Sequence, residues 1–104
     1  MNYNMFLKKK EYYILSGSVI FDNIVDIYNN SVCFFDNLII IKIDLSELKI
    51  IDSSIFVLFL SWIKKANIDN KNIYFYNLPK FVIDLGKIYD FDLILSPFIK
   101  YNKM

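Results

Sequence analysis

Histidine, arginine, threonine and glutamine are absent from this sequence, cysteine occurs once, as Cys33, and glycine and proline occur twice each. Without histidine or a second cysteine the chain cannot build a His/Cys zinc site, a disulfide, or a Ser/His or Cys/His nucleophilic pair from its own residues. Gly17 and Gly86 are too few for a GxGxxG or GxxxxGKS phosphate loop. Long apolar runs are missing too: the longest, residues 55–60, is far short of the roughly 20 residues of a spanning helix, so no transmembrane segment is expected. Lys8, Lys9 and Lys10 mimic the start of a signal peptide, but Glu11, Ser16, Gly17 and Asp22 interrupt what should then be apolar, and a cytoplasmic protein is expected. An excess of one charge is also lacking. The 12 lysines face 11 acidic residues for a net charge of +1, which gives no basic field for a nucleic-acid partner.

What is present suits a packed core. The 104 residues are 56% hydrophobic and 22% charged, enough for one domain over residues 1–104 and no disorder signature. The core is expected over about residues 6–95, with residues 96–104 as a loose polar tail opened by Ser96-Pro97. Isoleucine, lysine, asparagine, phenylalanine and tyrosine dominate and alanine occurs once, a bias expected of A/T-rich codons, so part of the hydrophobicity is mutational.

The pattern along the chain alternates strands and helices. Residues 3–7 and 11–16 read as strands joined by the lysine run. Residues 19–28 read as an amphipathic helix with Ile20, Ile24, Ile27 and Tyr28 on its apolar stripe, ended by the polar break Asn29-Asn30-Ser31. Residues 38–45 are short, β-branched and nearly all apolar, as central strands of parallel sheets are. After a turn at residues 46–49, a helix over residues 55–66 follows, with Asp52 or Ser53 as its N-cap and Lys64 and Lys65 at its end. Residues 73–76 read as a strand, and Pro79 opens a third helix to about Tyr89 with Phe81, Leu85 and Ile88 on one stripe. Residues 93–95 read as a last edge strand. The order implies an α/β fold with a mixed, largely parallel sheet and helices packed on it.

The helix at 55–66 carries two apolar stripes, Ile55, Leu58, Phe59 and Trp62 on one and Phe56, Leu60 and Ile63 on the other. One sheet face covers only one of them, so the second is expected to meet another protein. Gly86 inside the third helix costs about 1 kcal/mol relative to alanine, which points to a packing reason. Lys80 and Lys87 read as solvated, and Cys33 as a small apolar residue near a strand start. Asp44 ends the central strand and Asp52 starts the helix, but no base, metal ligand or nucleophile activator accompanies them, so catalysis is not expected.

The tetrad Ile43-Asp44-Leu45-Ser46, followed by Ile51-Asp52-Ser53-Ser54 and the long apolar helix, resembles the signature of STAS domains, the sulphate-transporter and anti-sigma-factor-antagonist family. Tyr13-Ile14-Leu15-Ser16-Gly17 is similar to the family's early strand ending in glycine, and Leu85-Gly86-Lys87-Ile88-Tyr89 to its third helix. The chain departs from the pattern at Ile55, where the family usually has glycine. Short length and the Leu85 to Tyr89 ending are most similar to the MlaB-like branch, small cytoplasmic subunits of phospholipid-trafficking ABC transporters. The resemblance implies a STAS-like single domain that is not an enzyme and holds no cofactor or metal. It implies an ABC-transporter ATPase subunit as partner, within a complex containing a membrane permease, and a place in the cytoplasm beside the inner membrane. The implied contact is Ser53, Ser54, Phe56, Val57, Leu60, Gly86 and Tyr89. The alternative the family offers is an anti-sigma-factor antagonist switched by phosphorylation of Ser53.

Overall fold

The computed structural model describes residues 2–8 and 12–100. Strands β1 (Tyr3–Lys8) and β2 (Tyr12–Val19) lead into α1 (Ile24–Val32), followed by β3 (Ile40–Asp44), β4 (Leu48–Ile51) and α2 (Ser54–Ile68). Then come β5 (Asn72–Tyr76), α3 (Lys80–Ile88), the four-residue α4 (Asp92–Leu95) and the two-residue β6 (Ile99–Lys100). The strands form one sheet in the order β1-β2-β3-β5-β6, with β4 pairing the second half of β2. Only β1 is antiparallel to its neighbour. The sheet is therefore mixed and mostly parallel, with β3 at its middle, as its apolar run predicts. The lysine turn expected between the first two strands lies, at Lys9 and Lys10, outside the described residues.

Alternation along the strands sorts the two sheet faces. Ile41 and Ile43 of β3 stand in register with Ile73 and Phe75 of β5, all four buried, and Phe75 packs against Phe59 and Trp62 of α2. The first apolar stripe of α2 is covered by this chain, and the second is covered at Phe56. Ile55, Leu58, Phe59 and Trp62 are buried, the last two against Phe75 of the sheet, while Phe56 is buried beside Gly86 of α3 and stacks on Phe91 at 4.8 Å. Leu60 and Ile63 are half-buried on the same core. On the second stripe Phe56 is therefore a core residue, because α3 and the Phe91 turn supply a layer that strand counting omits. Each fully buried large side chain is worth roughly 1.5–3 kcal/mol, so α2 is the main hydrophobic anchor of the fold.

Several boundaries differ from the sequence pattern, each for a local reason. Residue 19 belongs to β2, where Val19 is buried and paired with Ile51. Asn23 then staples the turn by accepting the Ile20 N–H and donating to the Ser18 carbonyl, which delays α1 to Ile24. At the other end α1 runs through the expected polar break, because Ser31 is an interior group: its hydroxyl donates to the Tyr28 carbonyl and accepts the Trp62 indole N–H at 2.8 Å. β4 replaces the expected turn and has no periodic signal, since only Leu48 is buried. Cys33 lies, exposed, in a 3₁₀ turn after α1 and not near a strand start.

Scarce glycine shapes the helix ends. α2 and α3 close with Asn70 and Asp90 in the left-handed region, at φ of 57° and 60°, where glycine is the usual choice. The Lys71 N–H reaches back to the Ala66 carbonyl and the Phe91 N–H to that of Gly86, both at 2.8 Å. α2 thus runs past Lys64 and Lys65, and Lys65 pairs with Asp69. Gly17 is the one glycine held at positive φ, 87°, where a Cβ would stand 2.5 Å from the Asn2 carbonyl oxygen. On α3 the buried residues are Val82 and Gly86, so the stripe read from sequence is turned outward: Phe81 and Ile88 are exposed and Leu85 half-buried. Lys80 pairs with Asp84. The expected edge strand at 93–95 is α4, which buries Leu95, and residues 96–100 of the expected loose tail form a 3₁₀ turn and β6, paired with β5, while residues 101–104 lie outside the described residues. Four residues are too few to show a helical period.

Candidate functional site

The connection from β4 to α2 begins with the Asp52 N–H donating to the Val19 carbonyl, which hangs the helix start on the end of β2. Asp52 then does the capping. Its Oδ1 accepts the Ser54 N–H at 2.9 Å and the Ser54 hydroxyl, and its Oδ2 accepts the Phe21 N–H at 3.0 Å. Burial pushes the Asp52 carboxyl up, but the bonds from the Ser54 hydroxyl, the Phe21 N–H and the Ser54 N–H outweigh it and hold the group below its ordinary range. The next two amides, of Ile55 and Phe56, donate to the carbonyls of Asp52 and Ser53. The orphan donors of the first turn are therefore met without the Ser53 side chain.

That leaves two adjacent serines with opposite surroundings. Ser54 is 9% exposed and bonded to Asp52, so it belongs to the cap and not to the outer surface. Ser53 is exposed, at φ −63° and ψ −16°, and its side chain makes no capping bond. Its hydroxyl sits at the positive end of a 15-residue helix. One turn on, Val57 is 54% exposed on the same side of α2. Phe21, tied to Asp52 through its N–H, is 76% exposed, and Val25 is 68% exposed. Val25 and Val57 share a shallow hollow of about 130 Å³ between α1 and α2, with Ile24, Tyr28, Leu58 and Ser61. The surface is a polar point beside exposed apolar side chains.

Of the contact residues expected from sequence, Ser53, Val57 and Tyr89 are exposed, Tyr89 at the end of α3. Phe56, 1% exposed, and Gly86 are core partners of one another and are corrected from surface contacts to internal packing. Leu60 is half-buried and packs on the core. A Cβ at Gly86 would meet the Phe56 ring at 3.5 Å, ordinary van der Waals distance, so the site has room for a methyl and little more. Phe21 and Val25 escaped the sequence reading. Their signal was available: both are apolar, four residues apart, and off the Ile20, Ile24 and Ile27 stripe.

Asp44 is buried at the end of β3, where its Oδ1 accepts the Ser46 N–H and the Asn77 side-chain amide at 2.9 and 3.3 Å. It fixes the turn after the central strand and joins it to Asn77, which takes φ of 58° after β5. Asp44 and Asp52 therefore each serve backbone turns. Among the described residues, no three Cys, Asp or Glu side chains gather as a metal site requires, and no helix is long and apolar enough to cross a membrane.

No family sequence model matches this chain, and no curated protein matches it by sequence. Solved structures do. The chain is similar to the anti-sigma factor antagonist SpoIIAA in its unphosphorylated form, with a TM-score of 0.72 at 14% identity over 98% of this chain and 89% of that one. It is also similar to the Bacillus cell fate determinant SpoIIAA in the phosphorylated form, with a TM-score of 0.68 at 12% identity over 98% of this chain and 92% of that one. At such identities the likeness is one of architecture, and it agrees with the mixed, mostly parallel sheet and the helices packed on it: the chain has the STAS fold of SpoIIAA.

Proposed function

We propose that this chain is a non-enzymatic regulatory and assembly subunit that binds a partner protein through the start of α2. Its partner is the ATPase subunit of a phospholipid-transporting ABC complex that also contains a membrane permease, in the service of outer-membrane lipid asymmetry. The observation that carries the reading is Ser53, an exposed hydroxyl left out of the cap, with Val57 one turn away and Phe21 and Val25 exposed nearby. Such a surface offers a partner one polar contact within an apolar rim. The choice of an ATPase partner is supported by the sequence resemblance of the Asp52-Ser53-Ser54 and Leu85 to Tyr89 segments to MlaB-like proteins. In this reading the protein is cytoplasmic and reaches the inner membrane only through its partner.

Co-purification with the candidate transporter ATPase tests it, comparing wild type with Ser53→Glu, which adds charge and bulk where the fold needs neither. The wild type is expected to form a stable complex that the variant loses. A second reading, favoured by the likeness to SpoIIAA in both phosphorylation states, is an anti-sigma-factor antagonist in which phosphorylation of Ser53 switches binding. Failure to bind the ATPase, together with phosphorylation at Ser53 by an anti-sigma kinase that binds the chain, would replace the first reading with the second.

A further inference from the structure

The sheet ends on one side in β1, six residues long, and on the other in β6, two residues long. The hydrogen-bond parity of β1 can be followed residue by residue. The Ser18 N–H donates to the Asn2 carbonyl, whereas the Gly17 N–H turns away from β1 to the Glu47 carbonyl. In an antiparallel ladder alternate pairs exchange bonds, so the even-numbered residues of β1 bond to β2. The N–H and C=O groups of Tyr3, Met5 and Leu7 consequently point away from the sheet, a row of three donors and three acceptors. Among the described residues no backbone group reaches them.

The only charge on β1 is at its very end, Lys8. Residues 3–7 hold no proline and no charge, and β1 keeps an unbroken register with β2 over its whole length. The strand is also held in place: the Tyr3 hydroxyl donates to Asp26 and accepts from the Asn30 amide, both on α1, at 2.9 Å. At the far side β6 is too short to template a strand, and Pro97 precedes it.

We propose that β1 is the seat of a second copy of this chain, joined by antiparallel β1 to β1 pairing about a two-fold axis at Met5. In that register Tyr3 lies opposite Leu7 of the second copy and Met5 opposite its own equivalent, so all three outward residues exchange both of their hydrogen bonds. The pairing is self-complementary, as a two-fold interface must be. It covers Leu7, which is exposed in the single chain, with the tyrosine across from it. Lys8 falls opposite Asn2 of the second copy. Because β1 joins only to β1 and β6 cannot continue the ladder, the assembly closes at two chains.

Sedimentation equilibrium of the full chain across the micromolar to millimolar range tests the proposal, with Met5→Pro as the informative variant. Among the described residues the Met5 N–H bonds nothing, so proline there removes the pairing while sparing the ladder to β2. The wild type is expected to pass from one chain to two, and Met5→Pro to associate at least ten-fold more weakly with an unchanged far-ultraviolet circular dichroism spectrum. If that spectrum shows Met5→Pro unfolded, Leu7→Lys takes its place, with the same weakening expected. A wild type that stays a single chain throughout overturns the proposal, as does growth beyond two chains or association undiminished in the folded variant.

Discussion

Helix α2 is flanked by two neighbours that hold it in different ways. On the α1 side the contact is directional: the buried indole of Trp62 donates to Ser31, whose own hydroxyl is oriented by the Tyr28 carbonyl. On the α3 side it is a matter of shape, with the Phe56 ring laid against Gly86 and stacked on Phe91. A hydrogen bond in a dry interior fixes one relative position of two helices, since any slip strands a polar group. An aromatic seam against glycine fixes spacing more than direction and has slack measurable in a single methyl. One flank sets register and the other sets thickness.

The largest effect should come from emptying the shape-fitted flank. Phe56→Ala removes a ring with no solvent access and leaves a cavity between α2 and α3, and urea unfolding should show a loss of about 3–5 kcal/mol. The directional flank should break with a smaller but more specific effect. Ser31→Ala leaves the Trp62 N–H buried without an acceptor, a loss of about 1–3 kcal/mol. Adding Trp62→Phe should then cost less than it does in the wild-type background, because the orphaned donor goes with it. A double-mutant cycle that gave simple additivity would show that the bond does not set the register.

Where the two flanks begin, the Asp52 cap should be worth about 1 kcal/mol, read as the stability loss in Asp52→Ala. Its folded carboxyl lies below its unfolded value, so the contribution is whole above the unfolded pKa of about 3.9 and fades as pH falls through the lower, folded one. The gap between wild type and Asp52→Ala should therefore be constant at neutral pH and narrow in acid. The smallest effect runs the other way. Gly86→Ala should stabilise by up to about 1 kcal/mol, since the helix gains propensity and the methyl meets Phe56 at an ordinary distance. A loss of stability would mean that the α3 seam is as rigid as the α1 side.

The sequence was most legible where burial and period coincide. β3 and β5 are short β-branched and aromatic runs, and α2 is a long segment without glycine or proline, so type and place were readable in all three. β4 was not, because Lys49 and Ile50 both face outward and leave nothing to alternate. α4 was hidden by its length, and the ends of α2 and α3 by the use of Asn70 and Asp90 where glycine is the usual marker. At the candidate site the Asp52-Ser53-Ser54 run located the helix start, but adjacent residue types could not say that Asp52 would claim Ser54 and leave Ser53 outside. Phe56 and Gly86 looked like surface because their cover comes from an element 30 residues away, a relation no local period encodes.

Trp62 is the only tryptophan, and its environment makes it a built-in optical gauge. Its indole, packed among Phe35, Phe59 and Phe75 and bonded to Ser31, should emit at short wavelength in the folded chain and shift to the red on unfolding. It stands nine residues beyond Ser53, about 13 Å along the helix axis. A protein docking at Ser53 should leave the emission maximum where it is, while any disturbance between α1 and α2 should move it. One fluorescence trace can thus separate a surface event from a rearranged core.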